Sequence, residues 1–322
     1  VPMTDILDVD LLAFERGDAK QRQAVIDGVM TSLATGFVYT KHDLSEIMLD
    51  ETYDVLERFF SLSTEEKSEY VATGSRGQTG YTGLLVETAA ISNTPDWKEM
   101  LNWGAPLPEG HPLRDRYPHR YGEPVFPSNH IPESASVLSE FHEQLVDLQT
   151  RFLRIIASGI GVDEHFFDTM LQYGSHLTRA IRYPSMIDAP NGGSEGHVWA
   201  EEHGDINLIT ALPRATARGL QVKVENKWVD ASPPEGYVII NTGIMLERLT
   251  NGLIPVGWHR VVADEGQLQD RLSVVQFCHP TPWTLLAPVP STVTKERPCQ
   301  FPSISACDCL DQVLWEINLN SE

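Results

Sequence analysis

The stretch Ala200-Glu201-Glu202-His203-Gly204-Asp205-Ile206-Asn207-Leu208-Ile209-Thr210 puts a histidine and an aspartate two positions apart in a segment of extended character. Residues i and i+2 of a strand point to one face, so His203 and Asp205 can reach the same metal ion, and His259 can complete the set. Two neutral imidazoles and one carboxylate suit Fe(II). They hold the ion yet leave three adjacent positions for a bidentate ligand and dioxygen, which a closed structural site cannot do. Standing alone, the pattern would read as a surface pair and a core histidine. A second constellation changes the balance. Arg271 and Ser273 alternate on one face of the apolar strand Arg271-Leu272-Ser273-Val274-Val275-Gln276-Phe277, twelve residues after His259. A guanidinium facing a protein interior is costly without an anion, and its fork beside a hydroxyl suits a carboxylate.

These residues need a frame. Alternation at Ile6, Leu7, Val9 and Leu11 predicts a short strand over 5–12, and helical spacing from Val25 to Leu33 predicts a helix that stops at Gly36. Phe37-Val38-Tyr39-Thr40 reads as a buried strand and 47–60 as a helix, and Ser63 to Glu66 has capping-box spacing. Between Ala72 and Asn93, Gly74, Gly77, Gly80 and Gly83 surround Arg76 and Tyr81 in what reads as a loop. The proline-rich stretch 106–132 reads as an ordered connection along the surface. Leu138, Phe141, Leu145, Leu148, Phe152, Ile155 and Ile156 form the stripe of a helix over 134–159, and Asp163 is placed to cap the next one. In Leu177-Thr178-Arg179-Ala180-Ile181-Arg182-Tyr183-Pro184, alternation sets Arg179, Ile181 and Tyr183 on one face, and Asn191-Gly192-Gly193 and Gly196 then predict a bend.

With 322 residues and 41% hydrophobic content the chain can bury a large core. A formal charge of −21 opposes general attraction to nucleic acid or an anionic membrane. No apolar run approaches membrane-spanning length, and no signal-peptide pattern is seen. Four cysteines, Cys278, Cys299, Cys307 and Cys309, are too few for a disulfide scaffold and favour a reducing cytoplasm. Cys307 and Cys309 are expected in a C-terminal tail.

The two constellations, with Gly219-Leu220-Gln221-Val222, Val238-Ile239-Ile240-Asn241-Thr242-Gly243, Asn251-Gly252 and the N-terminal Gly36-Phe37, Phe59-Phe60-Ser61-Leu62, Gly80-Tyr81 and Lys98-Glu99, resemble the isopenicillin N synthase-like branch of the Fe(II)/2-oxoglutarate-dependent dioxygenases. The resemblance implies a mainly β fold with flanking helices, a distorted double-stranded β-helix or jelly roll. It implies an N-terminal α/β region over 4–132, a backing helix and catalytic core over 133–285, and an extension over 286–322. It further implies Fe(II) on His203, Asp205 and His259, with 2-oxoglutarate held by Arg271, Ser273 and Tyr183. The expected reaction is oxidation of an unactivated C–H bond of a small metabolite with O2, by hydroxylation, desaturation or cyclisation, with release of succinate and CO2. An isopenicillin N synthase-like oxidase that grips substrate with Arg271 and Ser273 is the alternative; a zinc hydrolase and a non-catalytic binding protein are more distant ones.

Two departures from the family pattern stand out: Ile181 replaces an asparagine before the tyrosine, and Ile244 replaces an aspartate after the Asn-x-Gly segment. Substrate contacts are expected from Arg179, which should share the cavity of Tyr183 and meet an anionic group or else form a structural ion pair. Tyr81 reads as a contact or a packed aromatic, and Asn207 as a pocket residue or a backbone partner at the barrel rim. Phe277, Trp199 and Trp258 are candidate walls. The substrate preferred on this reading is a charged metabolite such as an amino acid.

Overall fold

The computed structural model describes residues 5–75, 78–84, 96–188, 199–263 and 268–316. Arg76, Gly77, the loop from 85 to 93 and the predicted bend at 191–196 lie outside the described residues. The first half contributes β1 (Asp8–Asp10), α1 (Leu11–Arg16), α2 (Ala19–Leu33), β2 (Phe37–Lys41), α3 (Glu46–Phe60), α4 (Thr64–Ser68), β3 (Gly80–Thr82), β4 (Glu99–Trp103) and α5 (Pro112–Arg116). The long α6 (Ser134–Gly159) and short α7 (Asp168–Leu171) lead to β5 (Leu177–Tyr183), β6 (Ala200–His203), β7 (Ile209–Ala215), β8 (Leu220–Val224) and β9 (Lys227–Asp230). Next come β10 (Tyr237–Thr242), α8 (Ile244–Leu249), β11 (His259–Val261), β12 (Arg271–Cys278), β13 (Leu285–Leu286), β14 (Ile304–Ser305) and α9 (Ala306–Glu316).

Strands in the order β1-β2-β10-β7-β12-β5-β4-β3 form an eight-stranded sheet, and β6-β11-β8-β9 form a four-stranded one. Together they make the double-stranded β-helix that the resemblance implies. Strands β5 and β12 pair antiparallel, Arg271 opposite Tyr183 and Ser273 opposite Ile181, so their inward residues form one row. The outward face meets α6. Its seven-residue stripe is fully buried, each large side chain contributing roughly 1.5–3 kcal/mol of hydrophobic stabilisation. Gln149 on α6 donates to Gln276 Oε1 on β12 at 3.0 Å, which ties the helix to the strand that carries Arg271.

Local chemistry explains where several elements begin. Asp18 and Gln21 form a capping box on α2, and Ser63 and Glu66 form the expected one on α4. The expected strand over 5–12 is cut to Asp8–Asp10 because the Asp10 carboxylate accepts from Leu12 N at 2.9 Å and starts α1 instead. Asp163 accepts from His165 N at 2.8 Å and so caps a turn, while the helix itself starts only at Asp168. The expected C-terminal tail is in part the helix α9, whose Cys309 and Leu310 pack into the main core.

Candidate active site

His203 ends β6, His259 begins β11, and the two are partners across that antiparallel pair with ring centres 4.3 Å apart. Asp205 does not continue a strand through Ile209, as alternation predicted; it lies in the crossing segment between β6 and β7. The reason is that these strands belong to different sheets, so the chain must leave one before joining the other. Gly204 permits the passage: a Cβ there would stand 2.6 Å from Val256 Cγ1. Asp205 Oδ1 lies 3.7 Å from His259 Nε2 and 4.0 Å from His203 Nε2, and one ligand atom from each residue falls within 4.8 Å of the others. An ion about 2.1 Å from each donor, an ordinary first-row metal distance, bridges the 3.7 and 4.0 Å gaps. Among the described residues this is the one such group of three.

The surroundings aim the donors. His203 Nδ1 lies 2.7 Å from Glu201 O and His259 Nδ1 lies 2.9 Å from Gly257 O. A carbonyl can only accept, so Nδ1 carries the hydrogen and each Nε2 turns its lone pair to the centre. Burial, then the neighbouring His259, pushes His203 down to about 4, so this imidazole stays neutral as a ligand must. Thr210 Oγ1 donates to Asp205 Oδ2 at 2.6 Å and Asn241 Nδ2 donates to it at 2.7 Å, leaving Oδ1 toward the imidazoles. Burial alone would raise the Asp205 carboxyl, but both histidines and these two hydrogen bonds hold it below its usual range. Reading the sequence missed Thr210 and Asn241 as supports and treated Ile244 as a lost polar contact. The available signal was a polar residue within each of two apolar strands; that Thr210 and Asn241 are cross-strand partners required the sheet order.

Arg271 is 2% exposed, donates from Nη1 to Ser273 Oγ at 3.2 Å and from Nε to Ala217 O at 3.2 Å, and lies 5.4 Å from the Tyr183 ring centre. Burial pushes its pKa down, and among the described residues no carboxylate forms an ion pair with it. This is the chemistry of a receptor for a carboxylate. A chamber of about 60 Å³ between the sheets is lined by His203, Asp205, His259, Arg271, Ser273 and Tyr183, with Ile181 and Phe277 also on its wall.

The other candidates lie off that wall. Arg179 shares the face of Tyr183 but not its chamber: its Nε donates to Asn102 Oδ1 at 2.6 Å and its guanidinium sits 5.2 Å from the Phe277 ring centre, at the chamber's edge. Tyr81 is buried on β3, and its hydroxyl donates to Glu99, which also pairs with Lys67 and Arg182. Asn207 is the rim residue, donating to Ile209 O at 2.6 Å. Trp199 is fully buried behind Tyr183 and donates to Pro184 O at 2.8 Å, whereas Trp258 is 43% exposed.

Comparison with known proteins agrees with this geometry. Residues 5–129 match the model described as non-haem dioxygenase in morphine synthesis N-terminal, and 173–280 match the 2OG-Fe(II) oxygenase superfamily. A solved 2OG-Fe(II) oxygenase family protein from Caulobacter crescentus superposes with a TM-score of 0.85 at 31% identity, covering 98% of this chain and 100% of that one. A full-length Neurospora crassa protein solved in complex with alpha-KG gives 0.83 at 26% identity, over 96% and 95% of the two chains. A 2-oxoglutarate-Fe(II) type oxidoreductase from Aspergillus fumigatus is 28% identical over 84% of this chain and 80% of its own length.

Proposed function

The chain belongs to the 2OG-Fe(II) oxygenase superfamily, and we propose that His203, Asp205 and His259 hold its Fe(II) while Arg271, Ser273 and Tyr183 hold its 2-oxoglutarate. The protein is an Fe(II)- and 2-oxoglutarate-dependent oxygenase that acts on a small metabolite. The observation that carries the residue assignment is Arg271, a buried guanidinium with a neighbouring hydroxyl, on the same chamber wall as the triad.

When bound with dioxygen, the metal and co-substrate supply the oxidant for a C–H bond, with succinate and CO2 released. The protein's residues do the positioning. Arg271 and Ser273 receive the distal carboxylate through a charge-assisted fork, with the Arg271 guanidinium carbon over the Tyr183 ring, 5.4 Å from its centre. Asn241 and Thr210 hold the Asp205 carboxylate so that one oxygen remains for the ion. Phe277 and Ile181 supply apolar wall beside the triad. Arg179, at the chamber's edge, is assigned to meet an anionic end of the substrate, and Arg179→Met is expected to raise the substrate's KM sharply.

The test is an anaerobic titration with Fe(II) and 2-oxoglutarate, followed by the weak visible band of the chelate, with His203→Ala as control. A band lost in the control supports the assignment. Bound iron without a band would move Arg271 and Ser273 to the substrate, as in the oxidase alternative. No described helix is long and apolar enough to cross a membrane. The free thiols of Cys278, Cys299, Cys307 and Cys309 support a reducing cytoplasmic setting, which we also propose.

A further inference from the structure

Beyond the inner chamber of about 60 Å³, a second cavity of about 470 Å³ opens at the end of the large sheet. Pockets for metabolite-sized molecules usually run to roughly 300–1,000 Å³, and the outer space falls within that range. Its wall includes Thr79 just before β3, Gly104 just after β4, Leu177 at the start of β5 and His279 just after β12.

The two spaces are neighbours along one row of side chains. On β5 and β12, Tyr183 pairs with Arg271, Ile181 with Ser273, Arg179 with Val275 and Leu177 with Phe277. Phe277 walls the inner chamber, and its partner Leu177 walls the outer cavity. Arg179, stacked on the Phe277 ring, marks the boundary.

The outer wall is largely apolar, with Leu107, Pro108, Val146, Leu171, Leu177 and Leu310 on it. Its charges are mostly silent. Arg120 is paired with Asp311 of α9, and burial holds His142, His176 and His279 neutral, at about 3, 4 and 3. Glu143 is exposed.

We propose that the outer cavity takes the body of the primary substrate, a largely apolar molecule uncharged over most of its surface, whose reacting end reaches the triad past Phe277. This rests on the oxygenase reading of the inner chamber and names the substrate class for it. The outer cavity is the larger of the two spaces, and the row from Leu177 to Tyr183 runs from its wall to that of the inner chamber.

The probe is prodan, an uncharged solvatochromic naphthyl ketone, titrated into the full chain loaded anaerobically with Mn(II) and 2-oxoglutarate. Saturable binding with blue-shifted emission is expected, weakened at least about tenfold by Val146→Trp and, from another segment of the wall, by Leu107→Trp. Circular dichroism checks that both variants fold. Paramagnetic Mn(II) should broaden the proton resonances of bound prodan, and His203→Ala should remove the broadening while prodan still binds. No binding, unchanged affinity in both folded variants, displacement by 2-oxoglutarate, or no broadening with Mn(II) bound would each overturn the proposal. The Fe(II) and 2-oxoglutarate band, measured without prodan, tests the inner chamber separately: its absence counts against the co-substrate assignment, whereas its presence with any of those four results counts against the outer cavity alone.

Discussion

Thr210 on β7 and Asn241 on β10 are cross-strand partners, and both donate to the same oxygen of Asp205. The large sheet thus aims a ligand whose two histidine partners stand on the small sheet. Replacing Asn241 with Leu keeps the volume and removes the hydrogen bond. Metal affinity should fall about 10–100-fold, the usual effect of losing such a support. Calorimetric titration with Mn(II) measures it, and an unchanged affinity in a folded Asn241→Leu protein would refute this role.

Arg271→Gln removes the buried charge that the distal carboxylate is assigned to meet. Leaving one partner of a buried, hydrogen-bonded charge pair alone costs about 2–5 kcal/mol, so the Kd for 2-oxoglutarate should rise by about thirtyfold or more. Ser273→Ala should cost about tenfold or less, since a single neutral partner is lost. The visible band under anaerobic titration reads both, and equal effects from the two variants would contradict the fork geometry.

Gly243 has a φ of −113°, a conformation open to any residue, so space is the constraint there. A Cβ at this position would lie 2.1 Å from Asn207 O, in the segment that carries Asp205. Gly243→Ala should destabilise the chain by about 1–3 kcal/mol through forced backbone movement. It should also weaken Mn(II) binding. The urea midpoint and the Mn(II) titration together check this; a stable variant with native metal affinity would show that the segment yields freely.

Burial is the first cause that holds His142, His176 and His279 down to about 3, 4 and 3, from an ordinary 6.5. Between pH 6.5 and about 4 the unfolded chain binds protons that the folded chain does not. Stability from these groups is therefore complete above 6.5 and is lost as the pH falls through that window. Urea midpoints of the metal-free chain should drop steadily between about pH 7 and about pH 5. A flat profile would mean that these imidazoles are charged in the folded state.

What could be read directly from the chain was whatever a single element's period decides. The stripe on α6 and the inward set Arg271, Ser273, Val275 and Phe277 follow from spacing alone, and the structure places them on one helix face and one chamber wall. Relations between elements were not readable. The outer cavity gathers residues from segments as far apart as Thr79 and Leu310. Tyr81 depends on Glu99 across β3 and β4, and no local pattern announces that contact. The Asp205 crossing was hidden because alternation continues through Ile209 on paper, whereas the choice between two sheets is made by pairing partners far away in sequence.

The order of the large sheet bears on how this chain can be cut or recombined. Strands β10, β7, β12 and β5 form its middle, while β1 and β2 cover one flank and β4 and β3 cover the other. Both flanks are therefore supplied by the first 103 residues. A fragment holding the triad with Arg271, Ser273 and Tyr183 but lacking those strands would present two bare strand margins, which templates pairing with other copies. Exchange of catalytic halves between relatives would then succeed only when the incoming half accepts the hydrogen-bond register of both foreign borders at once, which makes the borders, rather than the chamber, the barrier to shuffling.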